Sequence, residues 1–142
     1  MRYLFQLVIS TILVLESCVE PPSYDDGLLE NIPAIVNELD YFSLSIFGDD
    51  YTEKKEWDLL MNPDSSKSLL TTIVIKDINI SSSDSTLLYL INNLGDTVLN
   101  AYINSEIIFT SVDTVSNIGV PDRIVFDGNR FTGRLEYQII VN

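Results

Sequence analysis

Asp49, Asp50, Glu53, Glu56 and Asp58 form the densest run of carboxylates in the chain. Carboxylate oxygens of this kind hold Ca²⁺ in sets of about six to eight. The run nevertheless lacks the D-x-D-x-D-G order of an EF-hand loop and carries Lys54-Lys55 inside it. A solvated loop entering a short helix, whose first turn favours acids, accounts for the same residues. Asp127-Gly128-Asn129 also offers oxygens to a metal, but a tight hairpin turn explains all three. Ser66-Lys67-Ser68 does not have the S-x-x-K order of a serine–lysine site. Two carboxylates facing each other at ~5–9 Å would suit a glycosidase, yet no spacing here singles out a pair. Among the aromatics, Tyr51 with Trp57, or Tyr89 with Tyr102, offer faces for a sugar ring or a pocket wall. Aromatic rings in a β domain more often fill a core. Tyr51 and Trp57 are the ligand-contact candidates.

Two absences narrow the chemistry further. The chain has no histidine, which rules out Ser-His-Asp and Cys-His machinery and imidazole metal sites. Its single cysteine is Cys18. Apart from that cysteine, only carboxylates, Lys, Tyr and Ser remain for catalysis, and they form no catalytic set, metal cluster or cofactor motif in the sequence.

Cys18 closes the segment MRYLFQLVISTILVLESC, where one basic residue, Arg2, precedes a mostly apolar run from Tyr3 to Leu15. That layout is the n-region and h-region of a secretory signal peptide. The run is shorter than the ~20 residues needed to span a bilayer. Leu15, Ser17 and Cys18 resemble the lipobox of bacterial lipoproteins: an aliphatic residue at −3, a small one at −1, then the cysteine. The resemblance implies that Cys18 is diacylated on sulfur and becomes the mature N-terminus. The alternatives are an ordinary cleaved leader or an uncleaved hydrophobic tail, although Val14 to Val19 offers no good A-x-A-like site. The Asn/Ile/Ser/Tyr-rich composition and the Cys-acidic-Pro start also resemble lipoproteins of Bacteroidota over residues 1–27. The expected organisation is a signal peptide over 1–17, a lipidated tether over 18–27 and a single β-rich domain over 28–142. Pro21-Pro22 keeps such a tether extended.

Of the 142 residues, 46% are hydrophobic, enough for one core, and the net charge is −13. Losing the leader removes one base (Arg2) and one acid (Glu16), so the charge is unchanged. A chain this acidic repels nucleic acid and anionic headgroups. Acidity of this kind keeps a tethered domain soluble.

The elements that must position any site are mostly strands. Leu28, Ile32, Ile35, Val36 and Leu39 fall at helical spacing, which predicts a helix from an Asn31 N-cap to about Asp40, with Pro33 in its first turn. A strand-like lead-in from Ile32 to Val36 is the rival. Tyr41 to Phe47 alternates as a half-buried strand ended by Gly48-Asp49-Asp50. Thr52 to Met61 reads as a short capped helix, or else as an outward strand centred on Trp57. Asn62 to Ser68 is turn chemistry. Strands follow over Thr71 to Ile80, interrupted at Lys76-Asp77, then Leu87 to Ile91, Thr97 to Ile103 and Glu106 to Val112. Val115 to Pro121 is an irregular crossing. The last two strands, Asp122 to Phe126 and Arg130 to Val141, flank the Asp127-Gly128-Asn129 turn. In the final strand Phe131, Leu135, Tyr137, Ile139 and Val141 share the inward face, and Gly133 marks a bend or bulge.

About seven strands at this spacing predict a mainly β fold, an antiparallel β-sandwich or else a small β-barrel, preceded by one or two short helices. The function this implies is a non-catalytic binding or structural module, anchored to the cell envelope and touching a protein or glycan partner. A barrel carrying a hydrophobic ligand and a carboxylate-dependent glycan hydrolase are the alternatives.

Overall fold

The computed structural model describes residues 27–79 and 85–142. Cys18, the expected leader and nearly all of the expected tether lie outside the described residues, as do residues 80–84. Among the described residues nine strands form: β1 (Ala34–Asn37), β2 (Tyr41–Tyr51), β3 (Lys54–Asp58), β4 (Ser68–Lys76), β5 (Thr86–Asn92), β6 (Thr97–Ile103), β7 (Ile107–Thr114), β8 (Pro121–Asp127) and β9 (Phe131–Val141). One helical turn, α1 (Val115–Ile118), links β7 to β8. The strands build two antiparallel sheets. Sheet I has the order β1-β2-β9-β4-β7, and sheet II the order β3-β8-β5-β6. The fold is therefore the antiparallel sandwich, not a closed barrel. Among the described residues no helix is long and apolar enough to cross a membrane.

Period-2 alternation explains why the sheets face each other as they do. Phe42, Leu44 and Ile46 of β2, Leu69, Ile73 and Ile75 of β4, and Leu135, Tyr137 and Ile139 of β9 line the inner face of sheet I, all essentially inaccessible. Leu88 and Leu90 of β5 with Ile124 and Phe126 of β8 face them from sheet II. Phe126 holds the middle of one end, stacked on Tyr51 at 5.8 Å and edge-on to Phe131 at 5.7 Å.

Four expectations need correction. The 31–40 helix is instead the short strand β1, and of the apolar residues that suggested a helical stripe, Ile32, Ile35, Val36 and Leu39 stay exposed while Leu28 is half-buried. No core lies beneath them to reward a helix. The 52–61 helix is the edge strand β3, paired with β8 from Lys54↔Asp127 to Asp58↔Arg123. Gly48 does not end β2, which continues through a bulge to Tyr51. Finally, Asp127-Gly128-Asn129 is a turn but not a hairpin, because β8 and β9 belong to different sheets. It is held from outside: Gly128 N–H donates to the Glu53 carbonyl (3.0 Å), Asn129 N–H to Thr86 Oγ1 (3.1 Å) and Arg130 N–H to Thr52 Oγ1 (2.9 Å).

The Tyr137 hydroxyl is buried in the core with no hydrogen-bond partner among the described residues. Burial pushes its pKa far up, so the phenol stays neutral. An unsatisfied buried hydroxyl costs roughly 1–3 kcal/mol. Tyr137→Phe keeps the ring, including its edge contact with Phe42 at 6.4 Å, and removes only that cost. The expected result is a stability gain of about 1 kcal/mol, read from the urea midpoint at unchanged m-value.

Candidate functional site

The outer face of sheet II is where this fold gathers polar chemistry around an aromatic ring. Register fixes three rows across β3, β8, β5 and β6. Glu56, Val125, Tyr89 and Asn100 form the central row. Lys54, Asp127, Leu87 and Tyr102 lie on one side of it, and Asp58, Arg123, Ile91 and Thr97 on the other. A shallow groove of roughly 300 Å³ runs across these rows, lined by Lys54, Glu56, Tyr89, Ile91, Thr97, Arg123, Val125 and Asp127. Alternation puts the side chains there. Leu88 and Leu90 point into the core, so Leu87, Tyr89 and Ile91 must point out.

Glu56 sits between two cations. Lys54 Nζ lies 3.2 Å from Oε1, and Arg123 Nη1 donates to Oε2 at 3.0 Å. These hydrogen bonds, Lys54's first, hold the Glu56 carboxyl below the usual range. A side chain bridged in this way is pre-oriented, and both cations keep further donors for a ligand. Arg123 Nε is itself buried without a partner among the described residues. The half-buried Tyr89 ring supplies an apolar floor, and Tyr102, 47% exposed, stands diagonally across from it. Diagonal neighbours on a sheet face lie roughly 7–8 Å apart.

The candidates from the acidic run lie elsewhere. Tyr51 is in the core against Phe126, its hydroxyl 3.5 Å from Glu53, and burial followed by the Glu53 charge pushes its pKa up. That placement corrects the expectation that it contacts a ligand. Trp57 is half-buried, pairs with the core residue Ile124 and packs on the core from its edge, away from the groove. The carboxylates do not converge either. Asp50 accepts from Arg130 Nε at 2.9 Å, and Glu53 pairs with Lys55 at 2.6 Å. Among the described residues no three acids or thiols are grouped as metal ligands. Of the aromatic pairs, the structure brings Tyr89 and Tyr102 to one face. No alternation in the sequence marks them, because Leu87 to Ile91 is apolar throughout and β6 breaks its alternation at Val98-Leu99.

No family model matches this chain. A search of curated proteins finds no match either. Among solved structures, the chain has a likeness to one titled "Crystal structure of accessory secretory protein 1,2 and 3 in Streptococcus pneumoniae". The sequence identity is 12% and the TM-score 0.35, over 78% of this chain and 84% of that one.

Proposed function

We propose that this chain is a non-catalytic glycan-binding module, anchored through a diacylated Cys18 to a bacterial envelope membrane, at the outer membrane or cell surface. The observation that carries the binding half is the sheet II groove, with an aromatic floor and a fixed carboxylate–guanidinium–ammonium wall. A sugar ring has an apolar face for Tyr89 and hydroxyls that both accept from Arg123 or Lys54 and donate to Glu56 or Asp127. Few ligand classes match both. The leader and lone cysteine support the anchor half.

The anchor is tested by growth with an alkyne fatty acid. Label is expected on the wild-type protein and absent from Cys18→Ala, and equal labelling of both sinks the anchor. For the groove, the detergent-extracted protein is titrated with polysaccharides prepared from envelopes. Tyr89→Ala should weaken capture about tenfold, the equivalent of 1.4 kcal/mol. Unchanged capture by the variant, or capture of protein alone, overturns the glycan assignment.

A further inference from the structure

Four strand edges border the sandwich, and three are blunted in recognisable ways. β1 is only four residues long. β3 carries Lys54, Lys55, Glu56 and Asp58. β6 breaks register against β5 between Leu90 and Ile91. The fourth edge, β7, is eight residues long and bears no charge from Ile107 to Val112. It exposes Ile108 (84%), Val112 (66%) and Phe109 (41%). Among the described residues β7 pairs with β4 alone. Proteins ordinarily protect such an edge, since its free N–H and C=O groups template another strand. Beside it, between β7 and β6, opens an apolar slot of roughly 180 Å³ lined mainly by Ile73, Ile75, Leu99, Ala101, Ile107 and Phe109.

We infer that β7 is the pairing edge for a second copy of this chain, joined antiparallel about a two-fold axis through Thr110. That register overlaps Ile107 to Asp113 completely. It sets Ile108 opposite Val112 of the other copy, Thr110 opposite Thr110, and Phe109 opposite Ser111. Apolar pairs and Thr–Thr pairs are the favourable cross-strand combinations. Across β4 the same rows continue, because Val74 pairs with Ile108, Thr72 with Thr110 and Leu70 with Val112. A Leu70–Val112 row in one copy therefore runs on into Ile108–Val74 of the next. Charge selects the same edge. Two chains of net charge −13 repel wherever acids meet, and here the single acid in the overlap, Asp113, faces Ile107. A strand laid on β7 also covers the mouth of the slot. The pairing is independent of the groove, which lies on the other sheet.

The test is disulfide trapping in the full-length protein. Thr110→Cys places two thiols directly across the axis, within the ~4.4–6.8 Å Cα separation a disulfide accepts. Ile108→Cys is the register control, because its two copies are offset by four residues, about 13 Å. Mild oxidation should give at least tenfold more dimer from Thr110→Cys than from Ile108→Cys or wild type. In ultracentrifugation the wild type should sediment as a dimer, and Val112→Lys as a monomer with unchanged far-UV circular dichroism. Equal trapping at the two positions, a wild type that is monomeric at about 100 μM, or trapping onto a different protein would each overturn the inference. A Val112→Lys variant that stays dimeric would do the same.

Discussion

Asn92→Ala is expected to lower stability by about 3 kcal/mol, with a fall of roughly 10–15 °C in Tm. Asn92 is one of very few polar residues that are almost fully buried, at 4% exposure. Its Oδ1 accepts from the N–H groups of Leu94 (3.0 Å) and Asp96 (2.9 Å), which closes the turn between β5 and β6. Its Nδ2 donates to the Ile118 carbonyl at 2.9 Å, tying that turn to the end of α1. Alanine leaves two donors and one acceptor without partners in a part-buried place, each costing on the order of 1 kcal/mol. Asn92→Asp keeps the two accepted bonds but turns a buried carboxylate oxygen against the Ile118 carbonyl, so its loss should be at least as large. Urea unfolding of both variants checks the order. An alanine variant as stable as wild type would mean that the side chain does not organise the turn.

Gly48→Ala is expected to cost about 3 kcal/mol or more, the upper end of what over-packing does. A Cβ at position 48 would stand 2.5 Å from Phe131 Cδ1 and 2.7 Å from the Phe131 carbonyl oxygen. The ring can rotate only by giving up its edge contact with Phe126, and the carbonyl belongs to β9 and has nowhere to go. Gly48 faces Gly133 across the sheet, at φ +145° for Gly133, just where β2 and β9 lose register before Tyr51↔Phe131. The pair of glycines lets the two strands come together over a phenylalanine. Gly48→Ala with Phe131→Leu removes the ring clash but not the backbone one, so it should recover only part of the loss. Full recovery would place the whole conflict in the side chain and refute the backbone account.

The strands that carry the core were legible because each has one wet and one dry face. Phe42, Leu44 and Ile46, and later Leu135, Tyr137 and Ile139, announce their orientation by alternation alone, whereas the bulge falls on β2 between Gly48 and Tyr51, opposite the Gly133 that hinted at it. β1 and β3 were harder for one physical reason: both are short edge strands whose side chains are mostly exposed, so burial imposes little period on them. For β3 the structure also comes from a partner far along the chain, Arg123 to Asp127, and local propensity has no access to that. The Asp127-Gly128-Asn129 turn shows the same division. Its residues specify tightness, while the sheet that Phe131 enters is decided by contacts from Thr52, Glu53 and Thr86. The groove was not legible beyond Tyr89 and Tyr102 as one of two possible aromatic pairs, because which outward residues become neighbours depends on strand order. Strand order, here β3-β8-β5-β6, is a property of the whole fold.

β9 lies between β2 and β4 in sheet I, and its far end is clasped by Ser68 and Asp40: Asn142 N–H donates to the Ser68 carbonyl at 2.8 Å, and Val141 N–H to that of Asp40 at 2.9 Å. A polypeptide made from its amino end thus emerges with β2 and β4 waiting, separated by the width of a strand not yet synthesised. Sheet I is therefore complete only once Phe131–Val141 has been laid between them, so its closure waits on the last strand in chain order among the described residues.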